Sequence, residues 1–383
     1  MIVNHPSRPR VVVAPDSFKG SLGAVEVCAA VGEGVRRAFP DAEVVAVPMA
    51  DGGEGTLDCF LSALGGKEMA LAAVDPLGRP VQARYALSGD GRSAVVELAS
   101  ASGLPLVADA GPDPLGAGTE GTGMLIADAV AHGARDVLVC LGGSASTDGG
   151  AGLLRALGVR FTDAAGEDLP PGGGALARLA AIDDSGLRPE VRATRFRVAC
   201  DVTNPLVGPR GAAAVFGPQK GAGPEQVRAL DAALERFAGV LAEHTGVRVR
   251  DLPGAGAAGG ACGGLVAMLG AEPASGAELV ADTVGLPAAL DGADLVITGE
   301  GRVDGQSAGG KVVSVVAALA RERGVPAVAL AGSLVAPLDD LHDLGLTAAF
   351  SLADGPRTLE ELTGSAGPLL AGLAEQVARL RLA

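Results

Sequence analysis

Only four of the 30 basic residues in this chain are lysines, and three of those four sit against glycine: Lys19 in DSFKG, Lys220 in GPQKG and Lys311 in AGGK. An ammonium in a glycine-rich loop suits an anion of phosphate type, because the missing side chains let backbone N–H groups reach the same oxygens. Lys67, in LGGKE, reads as an ordinary charge near a helix C-terminus. The acids follow a matching pattern. Asp16, Asp51, Asp148, Asp201, Glu300 and Asp304 each fall at or just after the end of an expected strand, and Asp51 and Asp148 share the triplet Asp-Gly-Gly. Taken singly, each such Asp is better explained as a helix N-cap, a local role worth about 1 kcal/mol. Gathered at one sheet edge, they have the chemistry to hold Mg²⁺ through oxygen or to take a proton from a hydroxyl.

Three other motifs look chemical and are set aside. Residues 305–311, GQSAGGK, fit the spacing of a Walker loop, but Val312 stands where Mg²⁺ needs Ser or Thr, and the loop lies far from an expected strand end at Thr298. Lys311 keeps its value as a phosphate contact at a helix start. Residues 254–259, GAGAAG, fit a dinucleotide fingerprint, yet Asp251-Leu252-Pro253 separates them from any strand. Ser144 in GGSAS is one Gly short of a nucleophile elbow and has no nearby His. The five Cys form no CxxC pair and the four His are isolated, which reads as reduced thiols and no zinc site.

Composition narrows the function classes further. Of the 383 residues, 48% are hydrophobic, enough for a sizeable core, while aromatics are only 2%, with no Trp and one Tyr. Base-stacking modules and aromatic cages need more rings than that. A net charge of −15 argues against a nucleic-acid backbone or an anionic membrane as partner. The N-terminal MIVNHPSRP reads as a disordered lead-in, without a signal-peptide core. No run approaches the ~18 apolar residues of a membrane span, so the chain is expected to be soluble and cytoplasmic.

The elements that must position these residues repeat one pattern: a short β-branched run, a Gly-rich turn bearing an acid or Lys, then an Ala/Leu/Val-rich helix. Strands are expected at 11–14, 44–48, 137–141, 294–298, 328–331 and 348–352, with helices over 22–39, up to 64, up to 157 and up to 323. Such alternation means βαβ units and a mostly parallel sheet, whose ligands bind beyond the carboxyl ends of the strands. The middle differs. Residues 81–87 and 94–98 read as an antiparallel hairpin, and 254–264 is almost all Gly and Ala, suited to a hinge, a close backbone approach or a linker. The expected fold is α/β: a Rossmann-like, discontinuous parallel-sheet domain from 1–72 and 286–383, with an inserted α+β domain at 73–285 and the active site in the cleft between them.

Six segments in chain order carry a specific resemblance: APDSFKGSL (14–22), PMADGGEGT (48–56), VELASASGL (96–104), GTGMLIADAVAHGARDVLVCLGGSASTDGGAG (121–152), DVTNPLVGPRGAAAVFGPQKGA (201–222), and ITGEGRVDGQS (297–307) with GGK (309–311). Together they resemble the bacterial glycerate kinases of type I, which are unrelated to Walker-loop kinases. The resemblance implies ATP-dependent phosphorylation of D-glycerate with Mg²⁺, 2-phosphoglycerate favoured over 3-phosphoglycerate, on a Rossmann-like domain carrying an inserted second domain.

Given that reaction, roles follow from chemistry, since phosphoryl transfer is mostly positioning and charge stabilisation. Lys19, Lys220 and Lys311 are the phosphate clamps. Arg302 and Arg210 can fork onto the glycerate carboxylate, with Asp16 beside the substrate. Asp51, Asp201 or Asp304 is left to hold Mg²⁺, Asp201 and Asp304 foremost, and one acid takes the hydroxyl proton, with Asp51 and Asp201 the favoured catalytic carboxylates. Gly52, Gly53, Ser144, Thr147, Asn204 and Glu300 supply contacts to nucleotide or phosphate. Two other classes compete. A glycerate or nucleotide sensor on the same fold would lose its Mg²⁺ acids, which are present here; a nicotinamide oxidoreductase would need a well-placed fingerprint, which is missing.

Overall fold

The computed structural model describes residues 8–53 and 55–382. Most of the expected N-terminal lead-in, residues 1–7, lies outside them. The chain divides into two compact units: residues 1–51, 58–64 and 275–383 form the first, and residues 52–57 and 65–274 the second. The second unit therefore starts and ends about ten residues earlier than the crossings expected near 73 and 285.

In the first unit five strands form one wholly parallel sheet: Arg10–Val13, Glu43–Ala46, Leu295–Val303, Ala327–Leu334 and Leu346–Ser351. Arg10–Val13 lies between Glu43–Ala46 on one side and Leu295–Val303 on the other, and the remaining two continue outward from Leu295–Val303. Parallel strands covered on both faces read as unbroken apolar runs, and Val11, Val12 and Val13 show it directly. Val11 and Val13 pack into one cluster with Val27, Val31, Leu370 and Ala374, while Val12 packs into another with Val280, Val313 and Val316. Helices Ala24–Ala38 and Ala366–Leu382 cover the first face; Gly276–Thr283 and Val312–Glu322 cover the second. Small residues let the first pair close up. A Cβ placed on Gly34 would stand 2.1 Å from the carbonyl oxygen of Ala371, which leaves room for glycine alone.

The strand expected to end at Thr298 runs on to Val303, because Gly299 to Val303 pair with Leu330 to Leu334. Glu300 therefore lies inside a strand. The distance argument against a phosphate loop at 305–311 falls with it, since Gly305 is two residues from the strand end; Val312 at the Ser/Thr position stands.

The second unit has a mixed six-stranded sheet. Strands Ser93–Glu97, Asp136–Cys140, Arg195–Ala199 and Glu272–Ala274 are parallel neighbours, and Pro80–Leu87 and Lys67–Val74 extend the sheet antiparallel from Ser93–Glu97. The hairpin expected at 81–98 is present as Pro80–Leu87 with Ser93–Glu97. Lys67 opens an edge strand that the sequence reading missed. Helix Thr56–Leu64 has already ended at Gly65, and Lys67 pairs with Leu87. The run 254–264 is neither hinge nor linker but a close-approach segment: a Cβ on Gly256 would lie 2.3 Å from Pro205 O, and one on Gly259 2.1 Å from Ser146 O.

Candidate functional site

In the first unit the acids gather where the sheet changes direction. The chain steps from Arg10–Val13 to Glu43–Ala46 on one side, and the later strands build out on the other, so a switch point falls between Arg10–Val13 and Leu295–Val303. Open α/β sheets bind ligands in the crevice outside the strand ends there. Asp16 stands at this point, and its amide donates to Gly299 O at 2.8 Å. Asp51 follows the neighbouring strand Glu43–Ala46, and Glu300 lies in Leu295–Val303.

The three carboxylates feel one another. Burial pushes the Asp16 carboxyl up, Asp51 and Glu300 push it further, and the result is about 7, although the Ser17 amide at 2.6 Å and the Lys19 ammonium pull the other way. Burial also raises Glu300, with Asp304 and Asp51 adding to it, against a hydrogen bond from Ser307 Oγ at 2.6 Å and the charge of Lys311. A buried acid held protonated near neutrality by its neighbours is the pattern of a functional carboxyl.

The other first-unit candidates are arranged around that trio. Lys19 is exposed, and Lys311 caps the N-terminus of Val312–Glu322. Arg302 donates from Nε to Asp304 Oδ2 at 3.0 Å, while Asp304 Oδ1 accepts from the Gln306 amide at 2.9 Å. Asp304 thus caps the short turn Gly305–Ala308, and its oxygens are already engaged. Ser307 was not singled out by sequence reasoning. It is buried and orients Glu300, and its only sequence signal is the Asp-x-x-Ser spacing of a capping box.

In the second unit two loops follow adjacent parallel strands, Asp136–Cys140 and Arg195–Ala199. Residues 141–150 hold Ser144, Thr147 and Asp148; residues 200–211 hold Asp201, Asn204 and Arg210. Gly53 lies against the first loop, where a Cβ on Gly142 would approach it to 3.5 Å, and Gly52 takes φ +81° beside it. Asp201 and Arg210 are exposed, and Asn204 Nδ2 donates to Arg210 O at 2.8 Å, which ties the second loop to itself.

Lys220, expected as a phosphate clamp in a glycine-rich loop, is buried. It ends the 3₁₀ turn Pro218–Lys220, is 2% exposed, and sends its Nζ inward to Ser144 Oγ at 2.8 Å and to Ser146 O at 2.5 Å. Burial lowers its pKa to about 8, and the carboxylate of Asp148 opposes that shift. Ser144 is accordingly a partner of Lys220. Ser146 Oγ is buried beside them and makes no hydrogen bond.

Asp148 has a structural role. It is fully buried; one oxygen accepts from Thr119 N, Thr119 Oγ1 and Gly152 N, and the other from Gly150 N. Thr119 Oγ1 in turn accepts from Leu153 N, so one carboxylate joins the starts of helices Glu120–Ala131 and Ala151–Ala156. We expect Asp148→Asn to lower stability by about 2–3 kcal/mol in a urea titration, because an NH₂ group would then face backbone donors. An unchanged midpoint would show the hub to be dispensable.

With this geometry in place, comparison with known proteins decides the family. The family model described as the glycerate kinase family matches residues 11–382. The chain belongs to the glycerate kinase family. This kinase is similar to a glycerate 2-kinase of Escherichia coli K12, 47% identical over 352 residues covering 92% of each chain. It is also similar to a glycerate kinase of Halalkalibacterium halodurans, 45% identical over 368 residues covering 96% of this chain and 97% of that one. A crystal structure from Salmonella typhimurium LT2, assigned there as a candidate glycerate kinase 2, superposes with a TM-score of 0.90 at 46% identity, covering 97% of this chain and 98% of that one. The mixed α/β architecture with mostly parallel sheets agrees with that neighbour. Among the described residues of this kinase, no helix is long and apolar enough to cross a membrane.

Proposed function

We propose that this kinase transfers the γ-phosphoryl group of ATP to D-glycerate, forming 2-phosphoglycerate in preference to 3-phosphoglycerate. The observation that carries the reading is the Asp16–Asp51–Glu300 trio at the switch point of a parallel sheet, in a chain of this family. A carboxyl near 7 can take a proton from a hydroxyl and release it to solvent at neutral pH. Asp16 therefore becomes the leading base, with Asp51 beside it, whereas the sequence alone assigned Asp16 to substrate. Lys19 and Lys311 flank these acids with positive charge suited to phosphate oxygens. Arg210 and Arg302 remain the candidates for the glycerate carboxylate, although Arg302 must first release Asp304. Gly52, Gly53, Thr147 and Asn204 are proposed to contact the nucleotide.

Among the described residues, no group of three or more His, Cys, Asp or Glu side chains is gathered as a metal cage. Mg²⁺ in phosphoryl transfer needs only one or two carboxylates besides the phosphates, and the exposed Asp201 fits that role better than Asp304. When bound, the ion would neutralise developing charge on the phosphate oxygens.

The test is incubation with ATP, MgCl₂ and D-glycerate, following ADP release and the position of the product phosphate by NMR. We expect glycerate-dependent ADP and phosphorus coupled to the single C2 proton. Coupling to the C3 methylene would overturn the regiochemistry, and ADP release indifferent to glycerate would overturn the substrate.

A further inference from the structure

One crevice of the first unit takes no part in the proposed phosphoryl transfer. It measures about 230 Å³ and lies at the edge of the five-stranded sheet, between helix Ala24–Ala38 and strand Glu43–Ala46. The helix contributes Val25, Cys28 and Ala29, which share one face at spacings of three and four. The strand and its continuation contribute Val44, Ala46 and Pro48, alternate residues of one sheet face. The Cys28 thiol is engaged with Val13 O, and Ser62 of helix Thr56–Leu64 adds one hydroxyl. Apart from Arg36, the lining carries no charged side chain.

The position of Arg36 follows from a missing side chain. A Cβ on Gly32, one turn earlier in the helix, would lie 3.3 Å from Arg36 Nη1 and 3.2 Å from Val44 Cγ1. The bare glycine therefore lets the arginine fold back over its own helix until the guanidinium stands beside the strand wall. Neighbouring cations are already neutralised: Arg37 pairs with Glu33, and Arg10 with Glu43. Arg36 makes no hydrogen bond or ion pair with any described residue, although the chain has a net charge of −15 and acids are plentiful. The sheet edge adds backbone donors. Glu43 N and Val47 N donate inward to Pro9 O and Val13 O, so the alternating amides of Val44 and Ala46 point out from the edge.

We propose that this crevice binds a short aliphatic monocarboxylate, its carboxylate on Arg36 and its chain between Val25, Ala29 and Val44. One planar guanidinium suits one planar carboxylate. An apolar pocket with a single placed charge selects an apolar ligand with one charged end. A cation is repelled there, and a polyol anion such as glycerate would give up water to walls that return few hydrogen bonds. Size sets the chain length. A water-sized group takes roughly 30 Å³, so about 230 Å³ holds about eight heavy atoms, the number in hexanoate. None of the lining residues is among those proposed to handle ATP or glycerate, so the site stands independently of that reading.

Saturation-transfer NMR titrations of the full-length chain with the carboxylates from acetate to decanoate, with and without D-glycerate, test this. Affinity is expected to rise roughly fourfold per methylene up to hexanoate, and then to level off or fall as the chain outgrows the crevice. Hexanamide should bind about fivefold more weakly than hexanoate, the range of a solvated ion pair, and Arg36→Gln should remove that difference. Ala29→Leu should weaken hexanoate roughly tenfold by filling the crevice. Ala29 and Arg36 are both exposed helix residues, and Leu and Gln are good helix formers, so both variants should fold, which thermal melts check. Equal affinity along the series, unchanged hexanoate binding in Ala29→Leu, or binding seen only without D-glycerate would overturn the site. Hexanamide binding as tightly as hexanoate would overturn the carboxylate as its head group.

Discussion

Lys220→Ala is expected to lower kcat/KM by about 100-fold or more, the range found when a preorganised donor is lost from a transition state. It is also expected to destabilise the protein, by about 2–4 kcal/mol for a large buried side chain cut to Ala. Nζ of Lys220 holds Ser144 Oγ and Ser146 O from beneath the 141–150 loop. Without it both oxygens lose a buried charged donor, and the loop loses the group that fixes its shape. Lys220→Met separates the two effects: the apolar stem returns and most of the stability with it, while turnover stays low. Protonation gives an independent readout. Burial puts the Lys220 ammonium at about 8, below its ordinary 10.5. The charged form is present below about 8, so kcat/KM should decline as pH rises through that value. Stability runs the other way: between about 8 and 10.5 the unfolded chain holds the extra proton, so this group's contribution improves as pH rises. Paired kinetics and thermal melts on both variants check the prediction. A Met variant within twofold of wild type in kcat/KM would leave Lys220 with packing alone.

Asp16→Asn is expected to reduce turnover by about 10²–10⁴-fold, the contribution of a positioned general base, and to leave a folded protein. The amide matches the carboxyl in size and can still accept from the Ser17 amide, but it cannot take a proton from a hydroxyl. In the wild type kcat/KM should rise with pH through about 7, where Asp16 ionises; in the variant that limb should vanish. The stability effect has a definite sign. The folded carboxyl titrates at about 7 and the ordinary one near 3.8, so between these values the native state holds the proton that the unfolded chain has released. The stability due to this group is therefore greatest below the window and falls as pH rises through it. Asn carries no such proton. Above pH 7 the variant should melt higher than wild type in metal-free buffer, by on the order of 1–2 kcal/mol of added stability. An inactive but more stable protein is the signature of a carboxyl placed for reaction, since strained active sites reduce stability. A fully active Asn variant, or one that melts lower at pH 8, would return Asp16 to a structural role.

Much of this was legible in the residues themselves. The β-branched runs followed by Gly-rich turns announce parallel strands, because β-branched side chains pack on a pleated surface and only Gly leaves room for backbone groups at the strand ends. Six ordered motifs resembled one kinase family, and the family model spans residues 11–382. Lys311 at a helix start and Asp16 after the first strand also follow from local pattern. Other features depend on groups that meet only after folding. That Glu300 lies within a strand reflects pairing with residues about thirty positions later, which no local propensity reports. Asp148 and Asp51 share the same triplet, yet one is enclosed by donors that include Thr119, 29 residues earlier in the chain, and the other sits beside two further carboxylates. Lys220 reads as a phosphate clamp in a Gly-rich loop and is buried on Ser144, 76 residues away. The weakly acidic Asp16 has the same origin. A pKa is set by burial and by the charges nearby, and both are properties of the folded surroundings. Local pattern sets most of the elements and the chemistry available, while folding sets which of those groups are solvated, which are paired, and so which react.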